Sequence, residues 1–132
     1  NLFVGGFIGS PKMNFINTKV ISSNSSSTEV EILGQGKIII PKTSNNVSDG
    51  DSVKIGIRPE HILINSEEKC WESKVFVIEK LGSSTFLYLE KEGEPLVVQT
   101  DGASKVNVGD SLSLSFDLNK CHLFDSNNLA FK

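Results

Sequence analysis

The sequence predicts an all-β fold, a small barrel or sandwich, and three observations support this. From Met13 onward, apolar and polar residues alternate with a period of two, as in strands that bury one face. Pairs of turn-forming residues, such as Asp49-Gly50, separate the alternating segments. A Gly-Asp pair followed by a strand at 50–55 occurs again at 109–114, and each copy leads to a histidine followed by apolar residues, His61 and His122, so we expect two related β units.

Seven short segments are expected to be strands because they are rich in β-branched and aromatic residues and end at Gly, Asn, Asp or Pro. They are residues 28–33, 37–40, 53–57, 75–79, 85–90, 96–99 and 112–118. The clearest alternation is at 111–116, where Leu112, Leu114 and Phe116 face a core and the serines face water or a second layer. Residues 34–36 are expected to form a hairpin turn, and the Ser-rich residues 22–27 a hairpin loop.

The first twelve residues carry a different pattern. Apolar residues at positions 3, 4, 7 and 8 have the spacing of one helix face, which Gly9 and Pro11 stop. This face begins without a capping residue, so we expect the end of a linker helix from a longer chain. The sequence therefore predicts a helical remnant over residues 1–12 and a β domain over residues 13–132.

Composition restricts the function. A chain of 132 residues with 38% hydrophobic residues has the size of one globular domain. No apolar run approaches the roughly 20 residues of a membrane-spanning helix. The net charge of −3 argues against a surface for nucleic acid or anionic membranes. Cys70 and Cys121 are interpreted as unrelated reduced thiols, the alternative being a pair formed in an oxidising compartment.

No catalytic, cofactor or metal site is expected. The sequence lacks a phosphate-binding loop of the G-x-x-x-x-G-K-[ST] type, so it contains no ATPase core. Glu60 and His61 do not suit an acid/base pair, because adjacent strand residues point to opposite faces. We expect instead a strand that stops at Pro59 and an ion pair of Arg58 with Glu60, either local or between elements.

The C-terminal motif also has two interpretations. Asp117, His122 and Asp125 are too few for a metal site, and turn or capping roles are favoured for them. Leu123 and Phe124 form either the last core strand or an exposed anchor for a partner, and spacing alone favours the core.

Four segments, in order, resemble the C-terminal regulatory domain of ATP-binding subunits of carbohydrate ABC importers. They are residues 3–15 (Phe-Val-Gly-Gly-Phe-Ile-Gly-Ser-Pro-Lys-Met-Asn-Phe), 56–61 (Gly-Ile-Arg-Pro-Glu-His), 77–85 (Val-Ile-Glu-Lys-Leu-Gly-Ser-Ser-Thr) and 122–125 (His-Leu-Phe-Asp). The resemblance implies an OB-fold-like barrel of two related units, the transport-associated OB domain. It also implies a regulatory and dimerising role, with Phe124 entering an apolar pocket of a second copy and Leu123 beside it.

The other motif residues are expected to shape the β framework by this resemblance: Arg58, Pro59, Glu60, His61, Gly82, His122 and Asp125. ATP and Mg²⁺ would bind to a preceding domain. The expected partners are a twin subunit, permease subunits and a regulatory protein, at the cytoplasmic side of the membrane. The alternative is a domain that senses an oxyanion or a sugar. An oligonucleotide-binding OB domain is disfavoured by the acidic balance and the single Tyr and Trp.

Overall fold

The computed structural model describes residues 12–64, 67–102 and 105–132, and this part of the chain is built of β-strands. The expected helical remnant over residues 1–12 lies outside the described residues except for Lys12. The strands are β1 (Asn14–Ser23), β2 (Thr28–Ile32), β3 (Gly36–Ile40), β4 (Ser52–Ile57), β5 (Ile62–Ile64), β6 (Trp71–Leu81), β7 (Ser84–Leu89), β8 (Leu96–Asp101), β9 (Ser111–Phe116) and β10 (His122–Phe124). Two 3₁₀ turns, Pro59–His61 and Leu118–Lys120, follow β4 and β9.

Each of the seven predicted segments lies on an observed strand, so the all-β prediction is confirmed. The last one was expected to reach Leu118, but β9 ends at Phe116 and Leu118 begins the second 3₁₀ turn. The carboxylate of Asp117 caps this turn by accepting a hydrogen bond from the Asn119 N–H at 3.2 Å. Among the described residues, no helix is long and apolar enough to cross a membrane.

The strands form two antiparallel five-stranded sheets with the same plan. One has the order β10-β4-β1-β2-β3 and the other β5-β9-β6-β7-β8. The first unit (β1 to β5) and the second unit (β6 to β10) each contribute four strands to their own sheet. The fifth strand of each unit pairs in the sheet of the other: β5 with β9, and β10 with β4. The predicted repeat is therefore an OB-like pair of units joined by exchanged strands.

The repeat extends to the hydrogen bonds of the Gly-Asp turns. Gly50 and Gly109 have φ angles of 90° and 95°, a conformation that favours glycine. The carboxylates of Asp51 and Asp110 each accept a hydrogen bond at 2.9 Å from the backbone N–H three residues earlier. Both turns therefore have the same cause, an aspartate that closes the loop and a glycine with a left-handed backbone.

A β-bulge in the long first strand of each unit meets these turns. The register shifts after Val20 in β1 and after Val75 in β6. The N–H of Val20 donates to the carbonyl of Asp51, and that of Val75 to the carbonyl of Asp110, each at 2.9 Å. The equal position of both bulges shows which residues of the two units correspond.

This correspondence corrects one detail of the sequence repeat. The sequence repeat predicts that His61 and His122 are equivalent, because each is followed by apolar residues. In the structure, His61 ends the first 3₁₀ turn, and Lys120 holds that position in the second. His122 lies instead on β10, opposite Gly56.

Alternation along the strands builds the core. Ile55, Leu87, Leu114 and Leu123 are fully buried between the sheets. Their burial supplies the main driving force for folding.

Two amide side chains join the units at the rim of this core. Asn14 bonds the backbone N–H and carbonyl of Val97, both at 2.8 Å. Gln35, in the confirmed hairpin turn, bonds the backbone of Glu72 in the same way at 2.9 and 3.1 Å.

A candidate contact site around Gly56

An aromatic cluster lies on the outer face of the first sheet, where β1, β4 and β10 run side by side. Phe15, Gly56 and His122 form one row across the three strands. Phe124 belongs to the next row, beside Lys54. We call Met13, Phe15, Gly56, His122 and Phe124 together the Gly56 patch.

The rings of the patch contact one another. The centroids of Phe15 and Phe124 are 5.9 Å apart with an interplanar angle of 62°, an edge-to-face arrangement. The ring of His122 lies 6.3 Å from that of Phe124. Phe15 is 50% exposed and Phe124 is half-buried. The rings therefore form an apolar surface that water reaches.

Gly56 is what allows these side chains to approach the sheet. A Cβ atom at this position would lie 2.6 Å from Sδ of Met13 and 2.8 Å from Cε2 of Phe124. It would also lie 3.5 Å from Cε1 of Phe15. The absence of a side chain at Gly56 therefore leaves a shallow depression, which we call the seat. The thioether of Met13 and the rings of Phe15 and Phe124 pack against it.

Leu123 does not share this surface. It is fully buried in the core, whereas its neighbour Phe124 points to the outer face. The expectation that Leu123 contacts a second copy is therefore wrong, because its side chain is already enclosed by its own chain. The core interpretation holds for Leu123, and the anchor interpretation concerns Phe124 alone.

The Arg-Pro-Glu-His motif shapes the connection from β4 to β5. Pro59 opens the 3₁₀ turn directly after the strand, and Nε of Arg58 lies 3.1 Å from Oε2 of Glu60. Burial opposes ionisation of Glu60, but its own backbone N–H and the Arg58 guanidinium outweigh this and lower its pKa. The carbonyl of His61 accepts a hydrogen bond at 3.0 Å from the N–H of Asp117. The predicted strand end at Pro59 and the ion pair are both present.

Two further motif residues make turns. Gly82 has a φ of 62° in the hairpin between β6 and β7, a conformation that side chains disfavour. The buried carboxylate of Asp125 accepts hydrogen bonds from the N–H groups of Asn127 at 2.9 Å and Leu129 at 3.0 Å. Asp125 thereby turns the chain back after β10, in the turn role favoured from sequence.

The two cysteines are buried and not bonded to each other in a disulfide. Burial raises the pKa of Cys70 to about 11, and burial together with the neighbouring Cys70 and Asp117 raises that of Cys121 to about 12. Both thiols are protonated at neutral pH and poor nucleophiles. In the described part of the chain, no three His, Cys, Asp or Glu residues are grouped as a metal site.

Sequence reasoning missed three members of the patch as site residues, namely Met13, Phe15 and Gly56. One signal was available. In β1 the buried positions are Asn14, Ile16, Thr18 and Val20, so Phe15 is a large apolar residue in the outward phase of the alternation. The proximity of Phe15 to Phe124 could not be predicted because β4 separates their strands in the sheet.

Models of known protein families match both halves of the chain. A family model described as the MalK OB fold domain matches residues 9–62, and one described as the TOBE domain matches residues 55–124. The chain is 36% identical to the maltose/maltodextrin import ATP-binding protein MalK of Vibrio parahaemolyticus. It is 33% identical to the alpha-glucoside transport ATP-binding protein AglK of Rhizobium meliloti. Both alignments cover the whole chain but only 36% and 37% of these relatives, so the chain spans about a third of their length.

A solved structure shares the fold. The cytoplasmic molybdate-binding protein ModG superposes with a TM-score of 0.67 over 83% of this chain and 94% of its own, at 17% sequence identity. This likeness supports the two-unit OB architecture alone. Since the TOBE model matches more than half of the 132 residues, and the match includes the Arg-Pro-Glu-His, Gly82 and Phe124 motifs, the chain belongs to the TOBE domain family.

Proposed function

We propose that this domain is the regulatory and self-associating part of the ATP-binding subunit of a sugar ABC importer. The observation that carries the proposal is the Gly56 patch. It presents Phe124 and Phe15 on an outer sheet face, within a chain that aligns over its full length with importer subunits such as MalK and AglK. The domain would hold two subunits together through a symmetric contact.

The patch has the features of a contact between copies. Its centre is apolar and aromatic, and aromatic side chains contribute strongly to interfaces when they enter a partner's pocket. Phe15 is half exposed in the single chain, so covering it would remove apolar area from water. The seat at Gly56 fixes both rings before association, which lowers the entropic cost of binding.

The remaining parts of the transport function lie outside this chain in the proposal. A preceding nucleotide-binding domain would bind ATP and Mg²⁺ and contact the permease subunits at the cytoplasmic side of the membrane. A regulatory protein that binds one arrangement of the twin domains better than another would shift the transport cycle. The domain itself would have no ATPase activity. We expect the full-length subunit to hydrolyse ATP and this chain alone to be inactive in the same assay.

Sedimentation velocity tests the self-association. We expect the chain to form dimers as its concentration rises, and Phe124→Ala and Phe15→Ala to shift the equilibrium toward monomer. Ile39→Ala is the matched control, because Ile39 is 53% exposed on the same sheet but lies on β3 outside the patch. A chain that stays monomeric at every concentration would refute self-association through this domain.

The alternative function, sensing of an oxyanion or a sugar, has a separate test. Titration calorimetry with molybdate and with maltose would give saturable heat if the domain were such a sensor. Our proposal expects no heat from either compound.

A further inference from the structure

The C-terminal segment closes the edge of the first sheet. After the turn at Asp125, the chain returns along β10, and the N–H of Phe131 donates to the carbonyl of Leu123 at 2.8 Å. Lys132 and Thr43 then exchange two backbone hydrogen bonds at 2.9 and 3.1 Å. Thr43 lies just beyond β3, so hydrogen-bonded segments connect both edge strands of this sheet. The side chain of Phe131 is buried in the core.

The second sheet has corresponding strands around the equivalent position, but no described segment closes it. Pairing places Ile64 of β5 opposite Leu114, as Leu123 of β10 is opposite Ile55. Among the described residues, an open groove of 540 Å³ lies at this position. This volume lies within the roughly 300–1,000 Å³ of typical ligand sites.

The lining of the groove combines apolar and polar side chains. Ile64, Val106 and Leu112 supply apolar groups, and Thr100, Lys105, Asp110 and Ser111 supply polar and charged groups. Val106 packs partly against the core, as Val47 does in the first unit. Among the described strands, β5 pairs only with β9, and Ile64, the last residue of β5, lines the groove.

We propose that this groove binds an extended peptide segment of another protein, with a large apolar side chain, phenylalanine by preference, in the place equivalent to that of Phe131 beside the first sheet. The chain itself provides the template, since an extended segment already occupies the corresponding position. Binding would be by strand addition, with backbone hydrogen bonds along β5 and one anchoring side chain.

NMR titration of the ¹⁵N-labelled chain tests this proposal. The probe is an acetylated and amidated peptide with the sequence of residues 128–132, Asn-Leu-Ala-Phe-Lys. We expect saturable shifts of the amides of Ile64, Thr100 and Val106. The same peptide with alanine in place of phenylalanine should bind at least about tenfold more weakly, because it lacks the anchoring ring.

A blocking variant makes the site assignment specific. Ser111→Trp places a bulky ring at the rim of the groove and should abolish the shifts. The control Ser22→Trp, at an exposed position of β1 away from the groove, should leave them unchanged. Phe124→Ala should also leave the titration unchanged, which separates peptide binding from self-association.

Three results would overturn the proposal. The first is equal affinity for the phenylalanine and alanine peptides. The second is a set of shifts confined to Leu123 and Thr43, which would mean that the peptide only displaces the chain's own C-terminal segment. The third is the same groove shifts with inorganic phosphate and none with peptide, which would identify an anion site.

Discussion

The ring of Phe124 packs edge-on against the ring of Phe15 across Gly56, although the two phenylalanines lie near opposite ends of the described chain. β4 runs between their strands, and a Cβ atom on Gly56 of β4 would lie 2.8 Å from the ring of Phe124 and 3.5 Å from that of Phe15. Because Gly56 has no Cβ atom, the two rings can pack directly against the sheet.

Gly56→Ala tests this seat. The added Cβ would lie within 3 Å of Met13 Sδ and Phe124 Cε2, so both flexible groups must move away from the sheet. We expect the free energy of unfolding to fall by about 1 kcal/mol, at the low end for overpacking. Dimers should be lost in sedimentation velocity. Gly36→Ala is the control, since its Cβ would meet only the Cys70 carbonyl at 3.9 Å, and it should associate like the parent chain.

Asp125→Ala should loosen the C-terminal segment. The substitution leaves two backbone N–H groups without their acceptor, which costs about 1–3 kcal/mol of the free energy of unfolding. Hydrogen exchange at Phe131 and Lys132 should become faster than elsewhere in the first sheet. Asp117→Ala removes a single, longer capping bond and should cost about 0.5–1 kcal/mol. Equal effects of both substitutions would contradict the role of Asp125.

Asn14→Ala should weaken the junction between the units. Its amide satisfies both the N–H and the carbonyl of Val97, and the loss of both bonds should lower the free energy of unfolding by about 1–3 kcal/mol. Gln35→Ala removes the corresponding bridge at an exposed site, where water replaces the amide, and should cost less. Urea unfolding measures both. The prediction fails if Gln35→Ala is the more destabilising.

Stability should fall at alkaline pH. The usual thiol pKa is 9.0, and burial raises that of Cys70 to about 11 and that of Cys121 to about 12. Above pH 9 the unfolded chain therefore releases protons that the folded chain keeps, so the free energy of unfolding decreases as pH rises from 9 toward 11. Each thiol contributes at most roughly 1.4 kcal/mol per pH unit.

Urea unfolding between pH 8 and pH 10 measures this slope. The double variant Cys70→Ala with Cys121→Ala should have a flatter profile over this range. Burial and the neighbouring Glu79 raise the pKa of Tyr88 to about 12. Tyr88 therefore also lowers the free energy of unfolding as pH rises, but only above its usual pKa of 10.0. An unchanged slope in the double variant would rule out the cysteines as its cause.

Local chemistry made much of the fold predictable from sequence. Alternation marked seven of the ten described strands, β2 to β4 and β6 to β9, and the Gly-Asp pairs marked both turns, because each depends on residues close together in the chain. The burial of Leu123 could also have been predicted from the sequence. Adjacent strand residues face opposite sides, so Leu123 and Phe124 could not both be anchors.

What sequence could not show depends on pairing between distant segments. β5 and β10 are three residues long, too short for a periodic signal, and each pairs with the other unit. The error of matching His61 with His122 has the same origin. The two histidines have similar neighbours in the sequence, and this similarity suggested that they correspond. Only the positions of the bulges at Val20 and Val75 show that they do not.

The exchange of β5 and β10 has a consequence for how the chain can be divided. A cut between β5 and β6 would give two fragments. The first would keep β5, which pairs in the second sheet, and would lack β10, which pairs in the first sheet; the second would keep β10 and lack β5. Neither fragment should fold alone, and mixing them should restore the native spectrum with bimolecular kinetics. The two units thus resemble the partners of a heterodimer that a linker holds together. Because the loop between β5 and β6 makes their association intramolecular, it does not depend on the protein concentration.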